Sequence, residues 1–135
     1  MKKSGILNSD ISRVLSYMGH TDWIAVGDCG LPIPEETERI DLAVKFGVPR
    51  FMEVLSEVEK DMKIEKVILA EEIKTQNPEI HEQILHLLEE KEGSCDVEYI
   101  SHVEFKEKTH SCKAVIRTGE ITPYANIILQ SACTF

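Results

Sequence analysis

"EKVILAEE", Glu65 to Glu72, decides the fold. Val67 to Ala70 form an apolar run with charged residues at both ends and none inside. Such a run, without polar alternation, fits a strand covered on both faces, as in a parallel sheet flanked by helices. The neighbouring segments follow the helical repeat instead. Upstream, Phe51, Val54, Leu55, Val58 and Met62 recur at helical spacing, with Pro49 placed to open the helix. Downstream, Pro78 starts a helix through Ile80, Ile84, Leu87 and Leu88.

The alternation continues outward. "NSDISRVLSYMG", Asn8 to Gly19, predicts a first helix capped by Asn8 or Ser9, with Ile11, Val14, Leu15 and Met18 on its apolar face and Gly19 at its end. Trp23 to Gly27 reads as a strand, and "ERIDLAV", Glu38 to Val44, as another. "CDVEYIS", Cys95 to Ser101, is a strand, after which Ser101 and Glu104 match the capping box of a short helix. "KAVIRTGE" is a strand that breaks at Gly119, and "ANIILQSACTF" is an extended carboxyl-terminal piece. The prediction is one α/β domain over residues 1–135, a three-layer α/β/α fold with a mostly parallel central sheet. The final two strands are left free to join in another way.

Composition narrows the function. The chain carries 24 acidic and 15 basic residues, a net charge of −9, and lacks the basic stripe of a nucleic-acid binder. The same balance disfavours polyanionic ligands and anionic membranes, so a neutral ligand fits better. No apolar run approaches the roughly 18 residues of a membrane helix. "MKKSGILNSDISRV" has no sustained apolar region, so a cytoplasmic location is expected. Cys29, Cys95, Cys112 and Cys133 are scattered without a Cys-x-x-Cys pair, which predicts free thiols rather than a zinc or redox motif.

In open parallel sheets, ligands collect beyond the carboxyl ends of the strands. Asp28 follows the first strand, His102 opens a capped helix after "VEYIS", and "RTGEITPYAN" brings Tyr124 and Asn126 after another strand. Carboxylate, imidazole, phenol and amide together suit a polyhydroxylated molecule. His20 precedes the first strand instead, roughly 16 Å from Asp28 if that strand is straight. Either the chain curls back, or His20 meets residues of a neighbouring subunit; the second is the expectation. Each residue also has an ordinary reading. His20 can cap a helix, Asp28 can start a turn with Gly30 and Pro32, and His102 can be a first-turn helix residue. Tyr124 and Asn126 can be a turn and a strand start. His81 and His86 read as surface residues, and the nearness of His110 and Cys112 is weak support for a nucleophile.

"MKKSGILNS", "GHTDWIAVGDCGLPIP", "AEEIK" and "VIRTGEITPYANIIL" together resemble the ribose pyranase / L-fucose mutarotase family, in blocks running from one end of the chain to the other. The segment "EEKEGSCDVEY" is longer than the family's usual one, and Trp23 and Cys29 fill variable slots. The resemblance implies a cytoplasmic isomerase that interconverts the pyranose and furanose rings of D-ribose, with neither metal nor organic cofactor. It implies that His20 is the proton donor and that Asp28, His102, Tyr124, Ala125 and Asn126 bind the sugar. It further implies a homo-oligomer, a ring-shaped pentamer or decamer whose subunits share sites. The general base stays open among Asp28, His102 and a water, with Arg117, Glu120 and Lys74 as unranked supporting residues. The competing readings are a non-catalytic ribose-binding or sensing module and an L-fucose-type mutarotase.

Overall fold

The computed structural model describes residues 1–91, 93 and 95–135. Its strands are β1 (Trp23–Gly27), β2 (Glu38–Asp41), β3 (Ile64–Ala70), β4 (Asp96–Ile100), β5 (Ala114–Arg117) and β6 (Ile127–Ser131). Its helices are α1 (Ser9–Tyr17), α2 (Phe51–Asp61), α3 (Ile73–Gln76), α4 (Pro78–Lys91) and α5 (His102–Lys108). The strands form one sheet in the order β2-β5-β1-β6-β3-β4. β2, β5 and β1 pair in parallel, as do β3 and β4, while β6 runs antiparallel between β1 and β3. The expected mostly parallel sheet is therefore present, with its last strand reversed. Only residues 118–126 separate β5 from β6. A parallel return needs a crossover of about a dozen residues or more, so this short link brings the chain back antiparallel.

Alternating side chains divide the core between the two faces of the sheet. Ile24, Val26, Val67, Leu69, Ile116, Ile127 and Leu129 pack with α1, α2, α3 and α4. Ala25, Ile68, Val115 and Ile128 face the other way, against Phe105 of α5 and Leu31. The three layers of the α/β/α prediction are present, with four helices on one face and α5 on the other.

Several boundaries differ from expectation. Asn8 caps α1 by accepting from the Ile11 N–H at 3.0 Å, but the helix ends at Tyr17 with Met18 extended. Thr21, not Gly19, adopts the left-handed conformation, at φ 69. Pro49 lies ahead of α2, whose cap is Arg50. β2 stops at Asp41, and the short helix α3 intervenes before Pro78. "EEKEGSCDVEY" includes Glu92 and Ser94, which lie outside the described residues.

Candidate functional site

The parallel strands all end at one edge of the sheet, and β6 begins there because it runs the other way. That reversal brings the residues before β6 beside those after β1, β3 and β4. Asp28 and Asn126 hold each other by two hydrogen bonds. The Asp28 N–H donates to Asn126 Oδ1 at 2.9 Å, and Asn126 Nδ2 donates to Asp28 Oδ2 at 3.0 Å. Asp28 Oδ1 accepts from the Gly30 N–H at 2.9 Å, as the turn reading of Asp28 expects. Burial raises the Asp28 pKa above its ordinary value, while these hydrogen bonds and His102 oppose the rise.

His102 is set by the full capping box of α5. Ser101 Oγ accepts from the Glu104 N–H at 3.2 Å, and Glu104 accepts from the Ser101 N–H at 3.1 Å. The His102 N–H donates to Glu72 Oε2 at 3.0 Å, a contact with no counterpart in the sequence reading. The imidazole stands edge-on to the Tyr124 ring, centroids 5.0 Å apart, and stacks on Phe105. Burial, then Lys106, lowers the His102 pKa, with Glu72 and Asp28 opposing. Its Nδ1 is buried and makes no hydrogen bond among the described residues. A neutral imidazole with an unused nitrogen is suited to meet a hydroxyl.

Tyr124 has φ 57, a left-handed conformation that costs on the order of 1–3 kcal/mol in a residue with a side chain. The Asn126 N–H donates to the Tyr124 carbonyl at 2.9 Å across this tight turn. Asn77 Nδ2 anchors the loop through Thr122 Oγ1 and the Pro123 carbonyl, both at 2.9 Å. Ala125 is fully buried, with its methyl in the core. Arg117 braces the Asp28 loop, with Nε donating to the Cys29 carbonyl at 3.1 Å and Nη1 reaching both Asp41 oxygens. Glu120 supports the same region, its carbonyl accepting from the Cys29 N–H and its carboxylate from Thr122. Lys74 instead pairs with Glu71 and lies over the Tyr99 ring.

His20 lies at the opposite edge. β1 is paired with β6 from Trp23 opposite Gln130 to Val26 opposite Ile127, so the chain does not curl back. Asn126 beside Asp28 and Gln130 near His20 are separated by about 14 Å of extended chain. The His20 ring does not cap α1: Nε2 lies 3.1 Å from Glu65 Oε2, and Glu65 Oε1 accepts from Gln130 Nε2 at 2.6 Å. The turn that carries it is closed by the Asp22 N–H on the Gly19 carbonyl and by the Gly19 N–H on Asp22 Oδ2. Glu65 and Gln130 escaped the sequence reading because neither has a motif. Their meeting depends on sheet order.

His86 is exposed, as expected, but His81 is half-buried. Its ring packs against Tyr99, with Nε2 2.7 Å from the hydroxyl, because α4 turns that side toward β4. His110 pairs with Glu36, while the Cys112 thiol is pushed up to about 12 by burial and points at the Lys108 carbonyl. They form no nucleophilic pair, and among the described residues no cysteine is in a disulfide. Among the described residues, no cluster of three or more His, Cys, Asp or Glu is arranged to hold a metal ion. Among them, too, no helix is long and apolar enough to cross a membrane.

A family model described as the RbsD / FucU transport protein family matches residues 1–134. A curated D-ribose pyranase of Bacillus cytotoxicus is 56% identical over 135 residues, covering 100% of both chains. The structure of Bacillus subtilis RbsD complexed with D-ribose superimposes with a TM-score of 0.94 at 47% identity, again over 100% of both chains. The fucose mutarotase of Streptococcus pneumoniae, solved with L-fucose, shares the fold at 22% identity and a TM-score of 0.79, over 96% of this chain and 95% of its own.

Proposed function

The chain belongs to the RbsD / FucU family, and from that premise we propose that it is an isomerase interconverting the pyranose and furanose forms of D-ribose. One observation carries the proposal: the Asp28–Asn126 pair gathers with His102 and Tyr124 in a chain 56% identical, end to end, to a D-ribose pyranase. Residues 1–135 act as one sugar pyranase domain. Ring opening of a hemiacetal requires a base for the anomeric hydroxyl proton and an acid for the departing ring oxygen. The free aldehyde then recloses through a different hydroxyl. On this reading Asp28, His102, Tyr124, Asn126 and the main chain of Ala125 hold the sugar, and His20 gives the proton.

Asp28 and His102 both offer an acceptor for the anomeric proton, one as a carboxylate, the other as a neutral imidazole. Because His20 and Asp28 lie at opposite edges, the donor comes from a second copy in a homo-oligomer. Acid–base assistance is worth about 10²–10⁴-fold, enough for a reaction that already proceeds slowly in water. Ribose is preferred over fucose as substrate because the high-identity relatives carry the ribose name, whereas the fucose enzyme shares only the fold.

Saturation-transfer NMR with a catalytic amount of protein tests the proposal. Exchange between ribopyranose and ribofuranose signals should rise with the protein, and L-fucose anomers should respond far less. An unchanged ribose exchange rate would leave only a sugar-binding module. His20→Ala should lose about 10²-fold or more of the added exchange while ribose still perturbs the spectrum of the protein. Full exchange in that variant removes His20 from the mechanism.

A further inference from the structure

We infer that Glu65 is a positioning residue for His20, the end of a polarised chain running Trp23–Gln130–Glu65–His20 that makes Nδ1 the proton-exchanging nitrogen. The inference rests on the reading of His20 as proton donor. Trp23 Nε1 donates to Gln130 Oε1 at 2.9 Å, Gln130 Nε2 donates to Glu65 Oε1 at 2.6 Å, and Glu65 Oε2 lies 3.1 Å from His20 Nε2. The direction of each bond follows from the first. An indole nitrogen can only donate, so the Gln130 oxygen must face Trp23 and its NH2 must face Glu65. The Glu65 carboxyl is held below its ordinary pKa, by Gln130 first and His20 second, so near neutrality it only accepts. His20 must therefore carry hydrogen on Nε2. In the neutral ring the lone pair is then on Nδ1, and in the imidazolium the transferable proton is on Nδ1.

The backbone is shaped for this contact. Ile64 faces Ser131 and Lys66 faces Gln130, which makes Glu65 the extra residue of a β-bulge. Bulges re-aim a side chain at the cost of local pairing. Stability does not explain the arrangement, because the His20 and Glu65 side chains are 52% and 34% exposed and such pairs contribute little. On the His20 side, Thr21 holds the left-handed conformation that turns the chain into β1.

Glu65→Gln provides the test. In that variant the carbonyl of the new amide still accepts from Gln130, so its NH2 faces His20 and Nε2 must become an acceptor. Nitrogen-15 spectra of labelled histidine should show His20 with its proton on Nε2 in the wild type and shifted toward Nδ1 in Glu65→Gln. Ribose exchange at saturation should fall by at least about 10-fold with the half-saturating concentration unchanged, as part of the 10²–10⁴ expected of acid–base catalysis. Glu65→Ala should fall similarly, and neither change should reduce activity further in a His20→Ala background. An Nδ1–H tautomer in the wild type overturns the inference, as does full exchange in Glu65→Gln. If Glu65→Gln is fully active while His20→Ala is dead, the inference falls and the donor reading stands. If His20→Ala is itself fully active, both fall.

Discussion

His102 shows how one residue's surroundings set its chemistry. Burial against Phe105 and Tyr124, followed by Lys106, keeps its imidazole less basic than usual. The unfolded chain, with a histidine pKa of about 6.5, takes up protons more readily than the native state on acidification. This contribution to stability is full above that value and is lost as pH falls through it toward the lower native pKa. His81, also lowered by burial first and Lys74 second, acts in the same window and with the same sign. Asp28 has the opposite sign at more acidic pH, since its raised native pKa costs stability as pH rises through it. His102→Gln should therefore make the fall in melting temperature between about pH 7.5 and about pH 5 shallower without abolishing it. Scanning calorimetry of both proteins across that range checks this, and an unchanged slope would show that His102 is not held neutral. The position of His102 was legible from Ser101 and Glu104, which spell a helix start. Its protonation state was not, because the burial that chiefly lowers it depends on Tyr124, which reaches it only through the fold.

At the level of elements, the reversal of β6 gathers the candidate site residues at one edge. Without it, Tyr124 and Asn126 would not open onto the edge where Asp28 and His102 lie. Two glycines keep the joints tight, and they should respond differently to a methyl group. A Cβ on Gly27 would lie 2.6 Å from Leu31 Cδ2 and 2.9 Å from Asn126 Oδ1, both side-chain atoms that can turn aside. A Cβ on Gly119 would lie 2.4 Å from the Val48 carbonyl oxygen, and the main chains there are tied by hydrogen bonds between Gly119 and both Gly47 and Pro49. Gly119→Ala should cost about 2–3 kcal/mol or more in urea unfolding, and Gly27→Ala about 1 kcal/mol. Gly27→Ala should lose ribose affinity instead, because turning Asn126 breaks its pairing with Asp28. The reverse order of stabilities would contradict the rigidity assigned to residues 47–49. β1 and β3 were legible because their apolar runs are bounded by polar residues. Helix α3 leaves no sequence signal because four residues carry no periodicity, and Pro49 marks the approach to α2 but not its cap at Arg50. The bulge at Glu65 leaves no trace in composition, since it exists only relative to β6.

Over the whole molecule, the separation of the two edges has a consequence for assembly. A straight first strand sets His20 and Asp28 apart, and the pairing of β1 with β6 bears that out. If each site takes His20 from one copy and Asp28 from another, neither residue needs to be intact in the same chain. His20→Ala leaves the binding edge untouched, and Asp28→Asn leaves the donor edge untouched. Each variant alone should lack exchange activity. Subunits of the two, mixed in equal amounts and allowed to reassemble, should form about a quarter of their sites from two intact halves. Ribose exchange should recover to about a quarter of the wild-type rate per chain, provided native mass spectrometry shows mixed oligomers. The dependence on mixing ratio is the sharper measurement. For a fraction x of one variant, intact sites number x(1 − x), so activity should rise and fall as a parabola with its maximum at equal mixing. Mixed oligomers without activity at any ratio would place both residues of each site in one chain, which the length of β1 opposes.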